Sequence, residues 1–204
     1  MAKEENPTSV CGPSPVGIGA GMTHIEIPRP SEGDVVDLIV ADHKVFEELL
    51  RELRDATADR EGARNDLANL LIAHGEAEES EVYPKLVRKD AIEGEDVEHA
   101  EHEHAEGNEK LLALLECKAT DTAKFDTAVE ELQKALTHHL GEEEQTILNP
   151  ARTDVDDATR GRLGATFARV RADRLDAGVG DIDYVRTLVK QARREGKLDT
   201  NADA

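Results

Sequence analysis

A histidine followed four residues later by a glutamate occurs twice in matching surroundings, and this feature constrains the chain more than any other. The first copy is His74-Gly75-Glu76-Ala77-Glu78, followed by Glu79, Val82, Tyr83 and Pro84. The second is His139-Leu140-Gly141-Glu142-Glu143, followed by Glu144, Ile147, Leu148 and Pro150. Residues four apart on an α-helix stand one turn above each other on one face. His74 with Glu78, and His139 with Glu143, therefore each present an imidazole and a carboxylate in one direction. That donor pair suits iron, manganese or zinc. Two such pairs on two helices ask for a fold in which helices face each other across a core.

Apolar periodicity supplies the helices. Val36, Ile39, His43, Phe46, Leu50 and Leu53 recur at steps of three and four and predict a helix over 34–56. A second, over 64–87, places Leu67, Leu70, His74, Glu78 and Val82 on one stripe, with Pro84 expected to kink or end it. In the third, over 96–118, His104, Asn108, Leu111 and Leu115 line up; His99 and His102 fall beside that line. A fourth, capped by Thr120 or Asp121, runs to Asn149-Pro150 with Phe125, Val129, Leu132, Leu136, His139, Glu143 and Ile147 inward. His138 is turned about 100° from His139, so the leucine frame selects His139, with Glu144 as the fallback carboxylate. Glu76, Glu79 and Glu81 read as a solvated face, and Tyr83 as packing.

Short links between helices of similar length predict antiparallel neighbours. The expected fold is all-α: an up-down-up-down four-helix bundle over 34–150, preceded by a flexible arm over 1–33 and followed by a helical extension over 151–204. The arm holds five of the seven prolines, and Ile25 and Ile27 are expected to lie against the bundle. In the extension, 156–175 and 182–195 read as helices without a histidine that cover the bundle. Alternating directions bring His43, His74, His104 and His139 to one level, at one end of the bundle.

Composition narrows the function classes. Three Phe, two Tyr and no Trp argue against a strand-rich fold. A formal net charge of −20 repels phosphate backbones and anionic lipid, so neither nucleic acid nor membrane is expected as a partner. Two cysteines, Cys11 and Cys117, form no framework and fit a reducing cytoplasm.

The inward set is then His43, His74, Glu78, His104, His139 and Glu143. Four imidazoles and two carboxylates exceed a tetrahedral zinc site and suit two metals with bridging carboxylates. No His-Glu-x-x-His zinc motif is present.

In the order and spacing of these six residues, with Glu-Glu and proline after both pairs, the chain resembles the hemerythrin-like (HHE cation-binding) family over about 34–150. The resemblance implies a non-haem di-iron centre, oxo- or hydroxo-bridged. His43, His74, His104 and His139 would be terminal iron ligands, and Glu78 and Glu143 the bridges. It implies binding of O2 or a related small ligand such as peroxide or nitric oxide. The alternatives are an enzyme that decomposes peroxide or oxidises iron, and an iron or redox sensor. Oxygen-carrying members have a further histidine one turn before the ligand on the third helix, where this chain has Ala100. That departure leaves His99 or water to complete one iron and favours reaction over reversible carriage.

Overall fold

The computed structural model describes residues 25–199, all of whose regular structure is helical. Residues 1–24 of the expected flexible arm, with Cys11 and His24, and residues 200–204 lie outside the described residues.

Helix α1 (Val35–Arg54) starts at Asp34, whose side chain accepts from the Val36 amide at 3.0 Å. Helix α2 (Arg60–Ala77) passes into a five-residue π turn, Glu78–Val82, and then into α3 (Tyr83–Val87). Helix α4 spans Gly94–Leu115. Helix α5 (Ala123–Glu143) is capped by Thr122, a residue or two beyond the expected Thr120 or Asp121, and enters a second π turn, Glu144–Leu148, before α6 (Asn149–Asp154). Helices α7 (Asp157–Ala177) and α8 (Ile182–Glu195) form the extension. Pairs α1–α2, α2–α4, α4–α5 and α5–α1 close the four-helix bundle.

The second helix runs to Val87 as expected, with its ladder distorted ahead of Pro84, whereas the expected stop at Asn149-Pro150 is corrected, because the helix carries on to Asp154. In each copy the residue before the proline donates its amide five residues back, Tyr83 to Glu78 and Asn149 to Glu144. A π turn inserts an extra residue and leaves a carbonyl out of the regular ladder. The proline, which has no N–H, follows directly where the ladder is already broken.

This continuation moves the site. It does not lie at one end of the bundle, as the histidine levels alone suggest. One apolar cluster, including Phe46, Leu49, Leu70, Leu111, Phe125 and Leu132, fills the bundle on one side of the histidine level. A second, including Val36, Ile39, Val82, Leu86, Ile147 and Phe167, closes the other side. Burying such side chains contributes roughly 1.5–3 kcal/mol each, so the polar layer between them is held dry by both.

The extension is built in. Helix α7 packs along α1 and α2, and α8 along α4. A Cβ at Gly164 would collide with the Gly33 carbonyl, so only glycine lets α7 approach that closely. The α7–α8 turn is tied to α2 by Asn69, which donates to the Leu175 carbonyl at 3.0 Å and accepts from the Gly180 amide at 3.2 Å. Ile25 and Ile27 pack on the core as expected.

Candidate metal centre

On the α1–α2 side, the His43 Nδ1 lies 3.0 Å from Glu144 Oε1, while its Nε2 lies 3.2 Å from Glu143 Oε2. His74 is arranged alike: Nδ1 is 3.0 Å from Asp42 Oδ2 and Nε2 is 3.0 Å from Glu78 Oε1. Asp42 is itself gripped by Arg171 of α7, with Nε donating to Oδ2 at 2.5 Å and Nη2 to Oδ1 at 2.7 Å. The rings of Phe46 and Phe167 stand edge-on to His74 at 5.1 and 5.7 Å.

The α4–α5 side repeats the scheme with different partners. His104 Nδ1 is 2.7 Å from Glu79 Oε1 and His139 Nδ1 is 3.0 Å from Glu103 Oε2. Their Nε2 atoms meet at 3.0 Å. Each of the four inward imidazoles thus has a carboxylate behind Nδ1. A proton held there leaves the Nε2 lone pair aimed inward, the tautomer that a metal-binding histidine needs.

Glu78 divides its oxygens between the two histidine pairs, whereas Glu143 serves a histidine and a tyrosine. Glu78 turns Oε1 to His74 and Oε2 to His104, 3.5 Å away. Glu143 turns Oε2 to His43 and Oε1 to Tyr83, whose hydroxyl donates at 2.9 Å and also reaches Glu78 Oε2 at 3.3 Å.

The residues present fit a metal on an independent count. His43 Nε2, His74 Nε2, Glu78 Oε1 and Glu143 Oε2 are buried, close together, and without hydrogen-bond geometry to any partner. One donor atom from each of these four residues lies within 4.8 Å of the others. Leaving such atoms unpaired is costly, and a cation is the partner their chemistry asks for.

Charge in this layer is correspondingly strained. Burial raises the Glu78 carboxyl above its usual range, and the nearby Glu143 charge adds to it. At Glu143 burial acts the same way, but the approach of His43 and the charge of His139 outweigh it and hold the group low. Burial opposes the charged form of His74, yet Glu78 and Asp42 push it up to about 10. Burial and the neighbouring His104 push His139 down. Burial also works against the Asp42 carboxylate, but His74 and Arg171 hold its carboxyl below the ordinary value.

Six sequence-selected residues therefore converge, and others take places the sequence reading did not assign. His99 is 53% exposed and points to Glu142 and Glu103, not into the core. His102 is exposed beside Glu106. Glu144 backs His43 from a half-exposed position, whereas Glu143 is the buried carboxylate. Glu79 is not merely solvated, because it holds His104.

Tyr83 is more than packing. Five residues advance about 500° on an α-helix, about 140° away from the starting direction, so a helical wheel puts Tyr83 off the Glu78 face. The π turn between them brings Tyr83 back onto it. Arg171 gave no sequence signal except as an arginine among the apolar positions of α7.

Residues 34–150 match the hemerythrin HHE cation-binding domain. The chain belongs to the hemerythrin HHE cation-binding family. A similar hemerythrin-like protein, itself described as uncharacterized, occurs in Schizosaccharomyces pombe; it is 31% identical over 140 residues, covering 67% of this chain and 68% of that one. No solved structure matches significantly. For this hemerythrin-like chain, α7 lies beyond the matched segment yet delivers Arg171 to the Asp42–His74 pair. Among the described residues no helix is long and apolar enough to cross a membrane.

Proposed function

We propose that this protein is a cytoplasmic non-haem di-iron protein that binds O2 or a related small ligand, peroxide or nitric oxide. The observation that carries the reading is Glu78, buried between the two histidine pairs with Oε1 on His74 and Oε2 toward His104, beside Glu143, whose Oε2 meets His43 and whose Oε1 accepts from Tyr83. His43 and His74 would hold one iron, His104 and His139 the other, with Glu78 and Glu143 spanning both. Iron held there would supply redox chemistry and an open position for a small ligand. The chain's own part is to orient and to keep water out. The carboxylates behind Nδ1 fix each imidazole, and the two apolar clusters exclude bulk solvent.

A cavity of about 30 Å³ lies against His74, His104 and His139, with Phe46 and Leu136 among its apolar walls. A space of that size takes one or two water-sized guests, which supports a small ligand over an organic substrate. The acidic surface argues against nucleic acid or membrane partners. Cys117, a buried free thiol, fits a reducing compartment.

The decisive experiment is an absorption spectrum of the anaerobically reduced, iron-loaded protein, before and after oxygen and then peroxide, alongside metal analysis. Two irons per chain and an oxidised spectrum formed on contact with either reagent are expected. Less than one iron per chain at every loading overturns the reading.

A second reading, an enzyme that decomposes peroxide or oxidises iron, is favoured by one observation. On the α4–α5 side the Tyr83 hydroxyl, a proton carrier, stands beside both carboxylates, and Ala100 offers no imidazole. Steady turnover of peroxide that Glu143→Ala abolishes would select this reading; a single stoichiometric reaction would select binding. The tie from Arg171 to Asp42 favours the sensor alternative to a lesser degree. Identical hydrogen exchange in α7 with and without metal would remove it.

A further inference from the structure

Helix α5 carries a second histidine–glutamate pair of the same spacing, and α4 carries one that faces it. His99 precedes Glu103 by four residues, and His138 precedes Glu142 by four. His138 and Glu142 stand one residue before His139 and Glu143, so they are turned about 100° around α5, out of the core and toward α4. Helices α4 and α5 are packed side by side, and the two outer pairs meet across their seam.

His99 Nε2 lies 2.8 Å from Glu142 Oε2 and 3.7 Å from Glu103 Oε1. His138 Nε2 lies 3.4 Å from Glu103 Oε1 and 3.4 Å from Glu142 Oε1. One donor atom from each of His99, Glu103 and Glu142 falls within 4.8 Å of the others. Four donors at bonds of about 2.1 Å around a tetrahedral ion are separated by about 3.4 Å; the histidine–carboxylate distances of 2.8 to 3.7 Å lie around that value, and His138, which reaches both carboxylates from outside the tight group of three, would swing inward to complete the set.

Glu103 gives the independent sign that a ligand belongs there. Its side chain is only 6% exposed. Oε2 is engaged by His139 Nδ1 at 3.0 Å, but Oε1 is shut off from solvent, has no hydrogen-bond partner, and is aimed between His99 and His138. The two imidazoles reach this oxygen only at 3.4 and 3.7 Å, without a hydrogen bond, whereas a cation between them would take it up directly. The half-exposed positions of His99, His138 and Glu142 leave the other side open to ions from solvent.

We propose that His99, Glu103, His138 and Glu142 form a second metal site on the outer α4–α5 seam, taking one divalent first-row transition cation. Two imidazoles with two carboxylates select that class over magnesium or calcium, which prefer oxygen alone. The site is distinct from the interior centre but shares Glu103 with it, one oxygen facing the outer cation and the other holding His139.

The test is a titration of Co2+ into iron-loaded protein, followed by visible absorption and equilibrium dialysis, for the wild type and for His99→Ala/His138→Ala. The wild type is expected to bind one further Co2+ per chain with the intense absorption of four- or five-coordinate cobalt. The double variant, with unchanged iron content and circular dichroism, is expected to bind it about 100-fold more weakly. No cobalt binding beyond the iron, or equal affinity in the double variant, overturns the proposal. Should the interior prove not to hold iron, the same titration of metal-free protein still decides: the two proteins must differ by one cobalt.

Discussion

The two halves of the centre share a donor scheme and differ in what holds it. On the α1–α2 half, Asp42 behind His74 is buried and clamped by Arg171, with Phe46 and Phe167 around the ring. On the α4–α5 half, Glu79 behind His104 is 37% exposed, and Glu103 behind His139 opens onto the outer histidines. Each half also has a half-exposed backing carboxylate, Glu144 behind His43 in the first and Glu79 in the second, so the contrast lies in the buried one: Asp42 is locked by an arginine, whereas Glu103 faces half-exposed histidines. The difference teaches that ligand placement and ligand rigidity have separate sources. Placement comes from helical spacing within the bundle. Rigidity comes from what covers it, and α7 covers only the first half.

The largest expected effect falls on what the halves share. Glu143→Ala is expected to take the protein from two bound irons per chain to none, measured by metal analysis after reconstitution. Retention of one tightly held iron would show that the halves load independently.

Next comes the asymmetry itself. Asp42→Ala strands the buried Arg171 and is expected to cost about 3–5 kcal/mol in the metal-free protein. Glu79→Ala, at a half-exposed position, is expected to cost about 1 kcal/mol or less. Denaturant unfolding of both variants checks this, and equal costs would erase the contrast.

A third prediction uses pH. His74 has its folded value raised to about 10, against an ordinary value of 6.5. Its stabilisation is therefore complete below pH 6.5 and is lost as pH rises through about 10. Asp42, held low, acts oppositely: its stabilisation is present above its unfolded value near 3.8 and is lost as pH falls below that. Thermal melting in chelator should decline between pH 6.5 and about 10, and His74→Gln should flatten that decline.

The smallest effect is expected from Tyr83→Phe. Removing the hydroxyl costs about 1 kcal/mol and should alter the absorption of the iron-loaded protein while leaving its iron content intact. An unchanged spectrum would return Tyr83 to a packing role.

Much of this centre was legible beforehand. His43, His74, His104 and His139 sit in leucine registers that an α-helix must bury, and Glu78 and Glu143 follow at the one spacing that shares a face. The outer details were hidden for a physical reason in each case. Tyr83 was concealed by a π turn, which changes the angular count that a helical wheel assumes. Glu79 and Glu103 were concealed because a carboxylate backing an imidazole on another helix has no local periodicity. The stop at Asn149-Pro150 was misplaced because a broken ladder tolerates a missing N–H.

The sequence by itself determined that this chain is helical, that four helices bury histidines at a common level, and that two glutamates join them. Those properties follow from 3.6-residue periodicity and short links, which act within a few turns of the chain. Only the tertiary structure decided that the layer lies between two apolar clusters, that Arg171 locks one half of it, and that a second set of histidines and glutamates meets outside the other. Those are contacts between residues 35 to 129 positions apart, and no local pattern encodes them, because packing alone chooses which outward faces meet.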